Sequence, residues 1–264
     1  LLEKLGAYVA LTPNAKGFYD HRNPNYLGIT GVMGNDEVIE HLTKNENVII
    51  IGSDLDMLSR FGLEPLLSNK NLFILSEVET SISSFVNNSK IYCEINGNLE
   101  LLISSIEEKF DRPPVYNKSQ VLQSSQSPYA LEEFSFKGIL SHFSKIIETD
   151  ANVFADAGNT GAFVIHDLIL SGKNLFYVFL GMGGMGNSIG ACIGSAIGNK
   201  RRSYAFMGDG SFLMYGLEIH TAVELGLPVV FIVFNNNSHA MCSTREDVFL
   251  GKETGLNNFK QSFL

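Results

Sequence analysis

Short, uninterrupted apolar runs recur along the chain, and stretches between them carry apolar residues every three or four positions. Val48-Ile49-Ile50-Ile51, Leu72-Phe73-Ile74-Leu75 and Ile91-Tyr92-Cys93-Glu94-Ile95 have the length and composition of strands. Residues 99–110 read as a helix with Leu99, Leu102, Ile103 and Ile106 on one face. Later in the chain the pattern returns more strongly, predicting strands at 153–155, 175–179, 203–207 and 229–234. Helices are expected between them at 161–170, 187–197 and 216–225. Strands that are apolar on both faces and separated by helices form parallel sheets covered on both sides. The expected class is therefore α/β, with two doubly wound parallel-sheet domains.

Between these halves the periodicity fails. Asp111-Arg112-Pro113-Pro114 and the Ser/Gln-rich residues 117–128 support neither a helix nor a strand. This divides the chain into a first domain at 1–110, a linker at 111–137 and a second domain at 138–264. The opening residues, LLEKLGAYVALTP, lack the basic and apolar regions of a signal peptide and read as the middle of a domain. The chain is accordingly expected to be a fragment of a longer protein, its second domain stopping early at Leu264.

Composition narrows the function. The net charge is −9 and the longest basic run is Lys200-Arg201-Arg202, which argues against a nucleic-acid partner. No apolar run reaches the roughly 18 residues of a membrane span. Three widely spaced cysteines form neither a disulfide framework nor a zinc motif, which favours a reducing, cytoplasmic setting.

Ligands of open parallel sheets bind at the carboxyl ends of the strands. In the second domain those ends read Asp156-Ala157-Gly158-Asn159-Thr160, the glycine-rich 181–186, Gly208-Asp209-Gly210-Ser211 and Asn235-Asn236-Asn237. The 24 residues between Gly210 and Asn235 make one strand-helix-strand step, so Asp209 and Asn236 should meet at adjacent strand ends. A carboxylate, an amide oxygen and a backbone carbonyl form a hard-oxygen set that suits Mg²⁺ bridging two phosphates.

The Gly208-Asp209-Gly210-Ser211 motif followed at this distance by the Asn pair resembles the signature of thiamine-diphosphate (ThDP) enzymes, closest to the acetolactate synthase and 2-oxoacid decarboxylase (carboligase) branch. Residues 1–110 resemble its central domain, incomplete at its start, with Lys16-Gly17, Tyr26-Leu27-Gly28, Gly31 and Gly34 in order. Residues 138–264 resemble most of its diphosphate-binding domain. The resemblance implies Mg²⁺ held by Asp209, the Asn236 side chain and the Ser238 carbonyl. It implies diphosphate contacts at Asn159 and Thr160 and in Gly208, Gly210 and Ser211. Met214 would wedge beneath the bent cofactor as its apolar support. Met185 and Met241 would line the pyrimidine and the substrate pocket, and the Gly183 carbonyl would accept a hydrogen bond from the aminopyrimidine. His239 is a candidate proton relay, with a pocket-shaping role as its plain alternative. Cys242 lies near enough in sequence to face substrate; Arg245 is a candidate for a substrate carboxylate, with a surface role as the favoured alternative.

The implied reaction is decarboxylation or carboligation of a 2-oxoacid through a C2 ylid and an enamine, with a 2-oxoacid or aldehyde as the small-molecule partner. In that family an activating glutamate comes from an N-terminal pyrimidine-binding domain across a dimer interface. No segment of this chain resembles that domain, so it is expected to be absent here, and a homodimer or tetramer is implied. Two rival readings remain open. Gly181-Met182-Gly183-Gly184-Met185-Gly186 fits the G-x-G-x-x-G of a dinucleotide (NAD) oxidoreductase. A non-catalytic subunit that keeps the fold is the other.

Overall fold

The computed structural model describes residues 1–86, 88–109, 135–252 and 254–260. Most of the expected linker, 111–134, lies outside the described residues; 135–137 belong to the start of a helix, Phe136–Ile146, which Ser135 caps by accepting from the Gly138 N–H. The described residues form two compact units, one of 1–13 and 21–109, the other of 14–20 and 135–260.

The first unit holds a small parallel pair, β1 (Val9–Leu11) and β2 (Tyr26–Ile29), and a three-stranded parallel sheet. That sheet comprises β3 (Asn47–Ile51), β4 (Asn71–Ser76) and β5 (Ile91–Asn96) in sequential order. All three lie within a residue of their expected positions. Central β4 is the most buried strand, and Leu72 and Ile74 join Ile50, Leu63, Leu67 and Ile82 in one apolar cluster. The helix expected at 99–110 runs Leu99–Glu107, capped by Asn98, whose side chain accepts from the Leu101 N–H.

The second unit is built on a four-stranded parallel sheet: β6 (Asn152–Ala155), β7 (Leu175–Val178), β8 (Ser203–Gly208) and β9 (Val229–Phe234). Its order is β7-β6-β8-β9, with Ala155 opposite Phe206 and Gly208 opposite Phe234. Side chains alternate across β8. Ala205 and Met207 join Phe154 and the helix Asn187–Asn199 through Ile189, Cys192 and Ile193. Phe206 meets Phe143 of the helix Phe136–Ile146 edge-on, with centroids 5.2 Å apart. Helices thus cover both faces, which explains why the central strands read as unbroken apolar runs.

Two details differ from the sequence reading. Asp209–Tyr215 is helical from its first residue, and the helix expected at 216–225 splits into a 3-10 turn, Gly216–Glu218, and a short helix, Ile219–Glu224. Lys16-Gly17, read as part of the first domain, packs within the second unit. Gly17 lies so close to the Asn174 carbonyl that a Cβ would stand 2.3 Å from it. Lys16 is buried, and its ammonium donates to the Ile165 carbonyl at 2.7 Å. Position in sequence does not fix which core a segment completes.

Candidate functional site

The chain leaves β6 for β7 on one side and returns to β8 on the other. Crevices that accept ligands open where the strand order reverses, outside the carboxyl ends of the strands. Here that point lies between the ends of β6 and β8.

At the end of β6 the backbone turns through Gly158 at φ +104°, and the helix Asn159–Asp167 begins. Gly158 brings no side chain to cap the first turn, so nothing from that position competes for its N–H groups. A Cβ on Gly161 would lie 2.0 Å from the Asp156 carbonyl, so glycine is what lets this turn close over the strand end. Thr160 is buried with its hydroxyl 3.7 Å from where a Gly208 Cβ would be, so the ends of β6 and β8 are in contact. Asn159 is half-buried.

At the end of β8, Gly208 precedes the helix Asp209–Tyr215, and Asp209, Gly210 and Ser211 are all buried. The Asp209 carboxylate accepts from the Gly210 N–H at 2.8 Å and, across the sheet, from the Asn236 and Ser238 N–H groups at 3.2 Å. The Asn236 amide oxygen accepts from the same Ser238 N–H at 3.2 Å. The strand-helix-strand step therefore brings Asp209, Asn236 and Ser238 to one place, as their spacing requires. The turn is held by Asn237 in the left-handed region at φ 58° and by the Asn237 N–H donating to Asn235 Oδ1. It is also pinned from outside: the Phe259 N–H donates to the Asn237 carbonyl and the His239 N–H to the Asn257 carbonyl.

These oxygens fit a hard divalent cation: a carboxylate and an amide oxygen from adjacent strand ends share the Ser238 N–H, and both are engaged only by N–H donors in the contacts above. Among the described residues no three His, Cys, Asp or Glu side chains gather as a metal cluster.

The third wall is the 181–186 loop after β7. Gly183 is exposed at φ +61°, and Gly186, at φ +85°, leads into the helix Asn187–Asn199. A Cβ on Gly210 would lie 2.5 Å from His239 Nδ1 and 3.1 Å from Met185 Cε, so Met185, Gly210 and His239 pack together. The His239 ring also meets Phe259 edge-on at 4.8 Å. Met241 is half-buried on the helix Ala240–Leu250, which also carries exposed Cys242 and Arg245. Met214 is 53% exposed. On an ideal helix it stands about 140° around the axis from Asp209.

Asp156 is a site residue the sequence reading passed over. It is fully buried, and its carboxylate accepts from the Ala157 and Gly186 N–H groups and from the Ser188 hydroxyl, all within 2.9 Å. Burial raises its pKa, while these donors pull the other way. Its partners Gly186 and Ser188 are 30 and 32 residues distant, beyond any local motif. Cys192 is no nucleophile: burial pushes its thiol up to about 12.

Comparison with known proteins decides the family. Residues 1–106 match the central domain of thiamine pyrophosphate enzymes, and residues 156–262 match their C-terminal TPP-binding domain. The chain belongs to the thiamine pyrophosphate enzymes. Within that family it is similar to two probable pyruvate decarboxylases of Schizosaccharomyces pombe, at 24% identity over 249 residues and 26% over 254, each alignment covering 91% of this chain and 42% of the relative. It is also similar to the large subunit of acetolactate synthase isozyme 1 of Escherichia coli, at 22% over 256 residues, covering 94% of this chain and 45% of the relative. The chain thus spans less than half the length of these thiamine pyrophosphate enzymes. The fold also speaks against a dinucleotide enzyme: the G-x-G-x-x-G loop follows edge strand β7, whereas the crevice opens beside β6.

Proposed function

We propose that this chain supplies the metal and diphosphate half of a ThDP- and Mg²⁺-dependent active site that decarboxylates or ligates a 2-oxoacid. The observation that carries this reading is the meeting of buried Asp209 with the Asn236–Ser238 turn, beside the start of the helix Asn159–Asp167. Asp209, the Asn236 amide oxygen and the Ser238 carbonyl would hold Mg²⁺. The first-turn N–H groups at Asn159 and Thr160, with Gly208, Gly210 and Ser211, would receive the diphosphate. When bound, ThDP supplies a nucleophilic carbon and an electron sink. Gly183 would accept from the aminopyrimidine.

Of the methionines assigned to the cofactor, Met185 has the stronger support as the apolar prop, since it packs on Gly210 while Met214 is half exposed. His239, which lies against Gly210, would exchange a proton near the reacting carbon, and Met241 would line the pocket. The activating glutamate would come from a separate domain across a homo-oligomer interface. A cytoplasmic setting fits the three free cysteines. The test is CO₂ release by the intact protein from a panel of 2-oxoacids, with and without added aldehyde. Release that depends on both ThDP and Mg²⁺ supports the reading; release independent of both contradicts it.

A further inference from the structure

Asp156 is buried beneath the site and faces away from the Asp209–Asn236 pair in its bonding: its partners are the turn that follows β6 and the loop that follows β7. One oxygen fixes Ala157, at the start of the turn leading to Asn159 and Thr160. The other takes the Gly186 N–H at 2.9 Å and the Ser188 hydroxyl at 2.8 Å, which fixes the end of the 181–186 loop and the first turn of the next helix. Gly186 has a second neighbour. A Cβ there would lie 2.2 Å from the Tyr215 ring, at the far end of the helix that begins with Asp209. The loop is therefore held between a carboxylate just past the end of β6 and an aromatic ring from the helix after β8.

We propose that Asp156 is a positioning residue that couples the two ends of the cofactor site, locking the ring-binding 181–186 loop to the diphosphate-binding turn. This rests on the ThDP reading above and extends it. A carboxylate suits the task because it accepts from several donors at once, and hydrogen bonds to a buried charge are stronger than neutral ones. An amide at this position keeps one good acceptor oxygen and offers an NH₂ where the second acceptor stood. Asp156→Asn should therefore break the lock, since its one acceptor oxygen cannot serve both the Ala157 N–H and the Gly186–Ser188 pair.

The coupling predicts different losses for a ligand that spans both ends and one that occupies a single end. On the intact protein, calorimetry with Mg²⁺ compares ThDP with inorganic pyrophosphate. For Asp156→Asn, ThDP should bind about tenfold or more weakly, and pyrophosphate by less than about threefold. Ser188→Ala removes one donor and leaves the carboxylate, so it should weaken ThDP in the same selective way by a smaller factor. It also keeps the test decisive if Asp156→Asn does not fold. Equal losses for the two ligands, or no loss for ThDP, in the folded variants overturn the coupling role. If the unaltered protein binds pyrophosphate but not ThDP, the cofactor reading falls and takes this proposal with it. If the unaltered protein binds both, only the variants decide.

Discussion

Lys16 and Asp156 show opposite consequences of burying a charge. Lys16 has no exposed surface to speak of, and burial holds its ammonium down at about 7 from an ordinary 10.5, with Asp167 opposing the shift. Between those values the unfolded chain binds more protons at this position than the folded one. Stability contributed by the site therefore rises with pH from about 7 to 10.5 and is flat below. Lys16→Met should reveal this by difference: the parent gains on the variant between pH 6 and pH 10, by at most a few kcal/mol. A pH-independent difference in unfolding free energy contradicts it. The methionines make a second test at this scale. Met185→Ala should weaken ThDP binding by more than Met214→Ala, because Met185 packs on Gly210 and Met214 is half exposed. The opposite order in calorimetry restores Met214 as the wedge.

At the scale of elements, β3 to β9 were legible as short runs dominated by apolar residues, most clearly in β4, β6 and β8, which are largely buried. β1 and β2 were not, being short, with a glycine inside β2. The helix Asp209–Tyr215 hid behind Asp, Gly and Ser, which are turn residues; in place, Asp209 sits in the first turn, where a carboxylate favours the helix dipole. Asp209, Gly210 and Asn236 were found because one strand-helix-strand step has a characteristic length. Asp156 was not, because its role is written in residues one full unit of sheet away. Gly161 shows the same contrast. In an exposed helix interior Gly→Ala stabilises by about 1 kcal/mol. Here the added Cβ meets a backbone carbonyl at 2.0 Å, so Gly161→Ala should destabilise by about 1–3 kcal/mol in denaturant unfolding. A gain in stability would show that the first turn can shift.

At the scale of the molecule, the chain joins two units with unequal roles. Among the described residues the first unit's sheet runs β3-β4-β5 in one direction without a reversal, whereas the second opens its crevice between β6 and β8. All residues assigned to Mg²⁺ and diphosphate lie around that crevice or on the adjoining loops. The relatives are more than twice as long as the matched part. The measurement that tests the central claim most directly is calorimetric titration of the intact protein with ThDP and Mg²⁺, alongside Asp209→Ala. Saturable binding that requires Mg²⁺ and is lost in Asp209→Ala is the predicted result. Binding that survives removal of either the metal or the Asp209 carboxylate would contradict the assignment of this site.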